Sequence, residues 1–319
     1  MLCAADASEE KTGGAGAVFL KNLQRDWKRN KCIYLMAIPV ILFYAVFCYM
    51  PMAGIVIAFQ DFEPAKGVWG SDFVFLDNFI AFFTDYQFPR ILKNTLLLSG
   101  GLILFGFPVP IILALLINEL HWKKYKRVIQ TVSYLPHFIS LVVICSLITE
   151  FTNSDGVINQ VLAMFGVEPT TWLMRPELFK PLFIVSDIWQ HAGWSSIVYL
   201  AALSAIDPGL YEAATIDGAG RFKQLLHVTL PALIPTITIL FIMRIGNVMS
   251  LGYEKVILLY NSTTMETADV IASFAYRKGI LDMDYGFSTA VGLFNSVVNF
   301  GFLWLANTFS KKMTENSLW

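Results

Sequence analysis

YEAATIDGAGRFKQLLHVTLP, Tyr211 to Pro231, is the stretch on which the reading of this chain turns. It mixes both signs of charge with good helix formers, and a glycine pair, Gly218 and Gly220, interrupts it near the middle. Just ahead of it, Asp207-Pro208 predicts a helix start: an Asp N-cap, then proline at the first helical position, where the missing N–H is no loss. LYEAATID propagates that helix. Gly218 predicts its end, because glycine adopts at little cost the left-handed backbone that closes a helix. A second helix is expected over GRFKQLLHV, with Phe222, Leu225 and Leu226 on one face, and Pro231 marks entry to the next element. Small side chains at Ala213, Ala214, Gly218 and Ala219 let another backbone approach closely. The unit therefore suits a groove on a partner; an amphipathic connector lying on a membrane surface is the alternative.

What flanks this polar unit is apolar. Hydrophobic residues make up 56% of the 319 and charged residues 15%, with a mean hydropathy of +0.58. A soluble domain has about 45–50% and about 25%. Six runs come near or above the ~20 residues that a bilayer core requires. They are Cys32–Gln60, Asn94–Asn118, Val128–Thr149, Pro181–Ile206, Pro231–Gly252 and Tyr285–Ser310. The first two and the last hold no Asp, Glu, Lys or Arg; the fourth holds Asp187 and His191, and the fifth Arg244. The expected fold is an all-α integral membrane protein with six transmembrane helices.

Lysine and arginine set its orientation. With the N-terminus inside, fourteen basic residues fall on the inner side and eight on the outer, Arg244 being within a span. Both termini and residues 208–231 are then cytoplasmic. Residues 1–20, Ala/Gly-rich and without a basic region before their few apolar residues, read as a disordered tail and not a signal peptide. Residues 21–31 form a basic cytoplasmic segment, and 32–319 the membrane domain. Outer segments 61–93 and 253–284 are expected to be short interfacial helices and loops.

Several functions find no support. A net charge of −1 gives no attraction to nucleic acid. Four cysteines without C-x-x-C spacing and four scattered histidines make neither a disulfide framework nor a metal site. There is no G-x-S-x-G or H-E-x-x-H for an intramembrane enzyme. An ion-coupled secondary transporter or channel would need carboxylate or histidine relays in mid-span, where only Asp187 and His191 stand.

The spacing Glu212-Ala213-Ala214-x-x-x-Gly218, nine residues, then Val228-x-Leu230-Pro231 resembles the EAA loop of binding-protein-dependent ABC importer permeases, with Val228 in place of the usual Ile. DIWQHAGWSSIVYLAALSAIDPGLYEAATIDGAGRF and NVMSLGYEKVILLYNSTTMETADVIASFAYRKGI resemble the carbohydrate branch, and within it permeases for rhamnogalacturonan, polygalacturonan and alginate oligosaccharides. The likeness runs from about Lys31 to the C-terminus. It implies a type I (MetI-like) permease domain over 32–319, with its transmembrane core over about 90–310 and the coupling loop at 208–231. It also implies the partners: a second, homologous permease subunit forming a heterodimer, two copies of a cytoplasmic ABC ATPase, an extracellular or periplasmic solute-binding protein, and membrane lipid around them. Glu212, Ala213, Ala214, Asp217, Gly218 and Ala219 would seat in the ATPase. No G-x-x-x-x-G-K-[ST] is present, so ATP and Mg belong to that partner, and the chain is expected to be non-catalytic and free of cofactors. A bacterial cytoplasmic membrane is the implied location.

Sugars bind through aromatic faces and planar polar groups. Trp189, Trp194, Arg244, Asn247, Glu254, Tyr260 and Asn261 are the candidates along a substrate path, although Trp and Tyr also anchor membrane interfaces. A charge within a span costs on the order of 3 kcal/mol or more. Arg244 therefore either lines the path or pairs with a carboxylate such as Asp187.

Overall fold

The computed structural model describes residues 27, 29–314, 317 and 318. The tail expected at 1–20, and the basic segment apart from residues 27 and 29–31, lie outside them. The described residues are overwhelmingly helical. One departure from an all-α fold is a two-stranded antiparallel pairing of Gln60–Asp61 with Asp72–Phe73.

Two units are distinguishable, one ending at Val56 and one starting at Ile57. In the first, α1 (Lys31–Phe43) continues through Tyr44–Tyr49 and Met50–Met52 with no buried residue. Ile33, Leu35 and Met36 are 66%, 69% and 77% exposed. A helix apolar all round and covered by none of its own unit belongs in hydrocarbon.

The second unit is built on α2 (Phe88–Gly101), α3 (Pro108–Asn118), α4 (Lys123–Tyr134), α5 (Leu141–Thr152), α6 (Pro176–Ser204), α7 (Pro208–Ile216), α8 (Leu230–Ile245) and α9 (Tyr285–Thr314). Helix α6 packs along α3, and α4 and α8 also lie against it. One core gathers Leu98, Ile144, Ile148, Phe179, Phe183 and Val256. A second, rich in phenylalanine, joins Phe82, Ile91, Phe274 and Phe287. Polar contacts tie α2 to the later chain: Asn94 Nδ2 donates to the carbonyls of Glu266 and Asp269, at 2.9 and 3.0 Å, and Ser99 donates to the Val248 carbonyl.

Five helical segments among the described residues are long and apolar enough to cross a bilayer: Lys31–Phe59, Phe88–Asn118, Leu141–Ala163, Arg221–Ile245 and Tyr285–Lys312. The expected fourth span, Pro181–Ile206, is not among them. It forms most of α6, long enough at 29 residues but carrying Glu177, Lys180 and Asp187. This helix buries Ser186, Gln190 and Ser196 against its neighbours, the two serines donating to carbonyls of their own helix, so these polar groups are kept from lipid. The expected third span, Val128–Thr149, is corrected. A 3-10 turn at Leu135–Phe138, with Pro136 in it, ends α4, and the apolar run restarts at α5. Proline has no N–H to give and its ring obstructs the preceding turn.

Elsewhere proline is absorbed. Three wide π-turns, Tyr44–Tyr49, Leu102–Gly106 and Leu225–Thr229, each end two residues before a proline: Pro51, Pro108 and Pro231. The wider turn gives the ring room and lets the helix run on past the lost hydrogen bond.

Close packing of α6 on α4 depends on Gly193. A Cβ there would overlap the carbonyl carbon and oxygen of Ser133, backbone atoms that cannot rotate away. Gly193→Ala is expected to cost about 1–3 kcal/mol, the usual range for overpacking. Thermal unfolding of the purified protein in detergent reads it; an unchanged midpoint would mean that α4 gives way freely.

Candidate functional site

The polar turn takes the expected form at its first helix. Asp207 caps α7 by accepting from the Gly209 N–H at 2.9 Å, and Pro208 occupies the first helical position. Gly218 has φ +75°. Around it the Ala219 N–H reaches the Ala214 carbonyl at 2.8 Å and the Gly218 N–H reaches that of Thr215 at 3.0 Å. This is the double bond pattern of a Schellman closure. Gln224 Nε2 bridges back to Thr215 Oγ1 and the Ala219 carbonyl, each at 3.0 Å, and the Tyr211 hydroxyl lies 3.0 Å from Thr229 Oγ1. The turn is thus cross-braced.

The second helix differs from expectation. GRFKQLLHV is not a separate arm: the chain is helical without a break from Arg221 to Ile245, carried past Pro231 by the π-turn. Movement at the turn therefore reaches a span directly. Glu212, Ala213, Asp217 and Gly218 are exposed, and Ala214 and Ala219 half-buried. Two apolar side chains stand out on the turn, Ile216 at 87% and Phe222 at 72% exposure.

The second feature is a cavity of ≈ 720 Å³ among α2, α3, α6 and α8 and the residues that follow α8. Trp194, Arg244, Asn247 and Glu254 line it; Trp189, Tyr260 and Asn261 do not. Asn261 is occupied in its own loop, accepting from the Thr263 and Thr264 N–H groups and donating to the Leu173 carbonyl. Tyr260 packs on the first core, and Trp189 is 49% exposed.

The expected partnership of Arg244 with Asp187 is not formed. Asp187 Oδ1 lies 3.4 Å from Lys255 Nζ and 3.5 Å from His191 Nδ1. Lys255, which the sequence reading passed over, is 5% exposed and sits 4.8 Å from the Phe183 ring centroid. Its signal was a lone lysine ahead of an apolar run, EKVILLY, since such a charge must find a partner. Arg244 makes no ion pair among the described residues and is exposed in the cavity. Trp194 is stacked on His137, with centroids 4.7 Å apart and planes 4° from parallel, and remains 43% exposed.

A braced polar turn continuous with a span whose far end lines a cavity carrying polar side chains is what a transport subunit needs. Residues 106–315 match the family model described as the binding-protein-dependent transport system inner membrane component. The chain belongs to that family. Among its relatives, the polygalacturonan/rhamnogalacturonan transport system permease protein YteP of Bacillus subtilis (strain 168) is 44% identical, over 91% of each chain. Protein LplB of the same organism is 42% identical over 96% of each. The solved structure of a bacterial ABC transporter involved in import of the acidic polysaccharide alginate superposes with a TM-score of 0.84 at 43% identity, covering 92% of this chain and 99% of that one. A second alginate ABC transporter structure, in complex with an alginate pentasaccharide-bound periplasmic protein, gives 0.84 at 42% identity over 93% and 99%. This permease therefore has the type I ABC importer fold and is a multi-pass, non-catalytic component of the cytoplasmic membrane. The family's permease subunits work without a cofactor of their own.

Proposed function

We propose that this permease moves oligosaccharide fragments of plant or algal polysaccharides inward, as one half of a heterodimeric membrane core driven by two ATPase subunits and fed by a solute-binding protein. Helix α6 counts as the sixth span, and both termini and the 208–231 turn face the cytoplasm. The observation that carries the reading is the braced turn itself. Ile216 and Phe222 stand exposed on a polar unit, and the turn continues as one helix into the α8 span. Exposed apolar groups of this kind are buried on docking to a protein partner.

The mechanism follows from that continuity. ATP binding closes the ATPase pair and displaces the docked turn, and the Arg221–Ile245 helix transmits the displacement to the wall that holds Arg244. The cavity exchanges access from one side to the other. Nucleotide shifts a population between two states, and no covalent bond of the sugar changes. An ion-coupled carrier would need a titratable relay free to cycle, whereas the Asp187 carboxylate is already engaged by Lys255 and His191.

Purification of the complex from native membranes tests the assembly. Native mass spectrometry is expected to show one copy of this chain, one second permease and two ATPase subunits. Reconstituted complex should show glycan uptake and ATPase stimulation only with the binding protein. Two copies of this chain in a complex with two ATPases would refute the heterodimer. Uptake that follows an ion gradient without ATP would refute the importer.

A further inference from the structure

Resting on the oligosaccharide reading above, we infer that Arg244 is the residue by which the cavity recognises a carboxylate on the sugar, so that this chain selects acidic over neutral oligosaccharides during passage. The argument begins with which charges in the cavity are already spent. Four charged side chains line it: Asp187, Lys255, Arg244 and Glu254. Asp187 and Lys255 neutralise one another at 3.4 Å, and His191 adds a further contact to the same carboxylate at 3.5 Å. The Lys255 ammonium is buried beneath the Phe183 ring and near the Phe183 carbonyl, at 3.5 Å. That pair is part of the wall and unavailable to cargo.

Arg244 and Glu254 remain, and they form no ion pair with each other or with any other described residue. Arg244 reaches Asp187 only through longer-range attraction, and an arginine within a span that no carboxylate contacts is costly unless water or a ligand meets it. A planar guanidinium presents a rigid fork of donors that fits a carboxylate with two parallel bonds, which a neutral hydroxyl cannot reproduce. Its neighbours suit the rest of a sugar. Trp194 offers a ring held parallel to His137. Asn247 spends one Nδ2 donor on the Met243 carbonyl at 2.9 Å and keeps its Oδ1. Glu254, an acceptor when ionised, takes hydroxyl donors and repels a second carboxylate. The lining thus offers both kinds of contact, a donor fork at Arg244 for an acidic group and acceptors at Asn247 and Glu254 for hydroxyls. Arg244 also lies in the last turn of α8, on the helix that begins at the coupling turn, so its grip changes when that helix moves.

The test uses the complete reconstituted complex, its binding protein and a defined uronic-acid oligosaccharide, compared with the same oligosaccharide reduced at its carboxyl groups. Both are supplied at concentrations that saturate the binding protein, which separates its selectivity from that of the membrane core. Wild type is expected to take up the acidic form faster. Arg244→Gln should reduce acidic uptake by at least about tenfold, the scale of a lost charge-assisted bond, and reduce neutral uptake far less, so that the acidic-to-neutral ratio falls. Arg244→Lys should recover part of the acidic uptake, since the charge returns without the fork. Equal loss on both oligosaccharides, or no loss on either, would overturn the assignment. Wild-type complex that transports peptides or inorganic ions and no glycan would overturn the oligosaccharide reading and this inference with it.

Discussion

Gly218→Val is expected to leave the permease inserted in the membrane and to abolish ATP-driven uptake. The residue's φ of +75° lies in the left-handed region, where a side chain costs about 1–2 kcal/mol and a β-branched one more. A Cβ there meets nothing within 4 Å among the described residues, so the substitution does not disturb the core. The cost falls on the turn. If the backbone relaxes, the Ala219–Ala214 and Gly218–Thr215 bonds open, α7 frays, and Ile216 and Phe222 lose their fixed relation. If it does not relax, an isopropyl group projects where the partner must fit. Both outcomes weaken docking. Glu212→Ala should do far less: Glu212 is exposed and makes no hydrogen bond or ion pair among the described residues, and alanine is the better helix former. Pull-down of the ATPase and sugar uptake, measured on both variants, decide the matter. Full uptake by Gly218→Val would reduce the turn to a surface connector.

The turn was legible in the sequence because each of its parts is local. An Asp-Pro start and a glycine stop act within a few residues, and Asp207, Pro208 and Gly218 stand as their chemistry requires. The continuity of Arg221–Ile245 was not legible. Pro231 reads as a break, and only the π-turn at Leu225–Thr229 lets the helix continue through it. Pro136 illustrates the converse, a proline inside an apolar run that does stop its helix. Hydropathy alone undercounts at α6, whose length is that of a span and whose Ser186, Gln190 and Ser196 turn inward. Of the seven path candidates, Trp194, Arg244, Asn247 and Glu254 converge on one cavity. Asn261 instead organises a loop, a role that depends on contacts 88 residues away, with the Leu173 carbonyl. Lys255 escaped notice for a similar reason: its partner Asp187 is 68 residues distant.

Asp269→Leu is expected to be the most destabilising single change in the second unit, on the order of 3–5 kcal/mol, the cost of breaking a buried ion pair from one side. The Asp269 side chain is 1% exposed and that of Arg277 18%. Arg277 grips it as a fork, Nη1 to Oδ1 at 2.8 Å and Nη2 to Oδ2 at 2.6 Å, and the Ser273 hydroxyl adds a third donor at 2.6 Å. With the carboxylate gone, a largely buried guanidinium keeps its desolvation cost and loses its compensation. The damage spreads, because the Asp269 carbonyl receives Asn94 Nδ2 from α2, and Asn94 Oδ1 in turn receives Lys180 Nζ from α6, at 2.8 Å. Those two helices contribute walls to the cavity, so misassembly and loss of uptake should appear together. The double variant Asp269→Leu/Arg277→Met separates the ion pair from simple packing. Removing both charges leaves no unpaired group, and apolar replacements of a buried pair are often neutral. Thermal unfolding in detergent should therefore show a large fall in midpoint for Asp269→Leu and recovery of most of it in the double variant. A double variant as unstable as the single one would show that the carboxylate acts through Ser273 and the local backbone, and that the pairing with Arg277 contributes little.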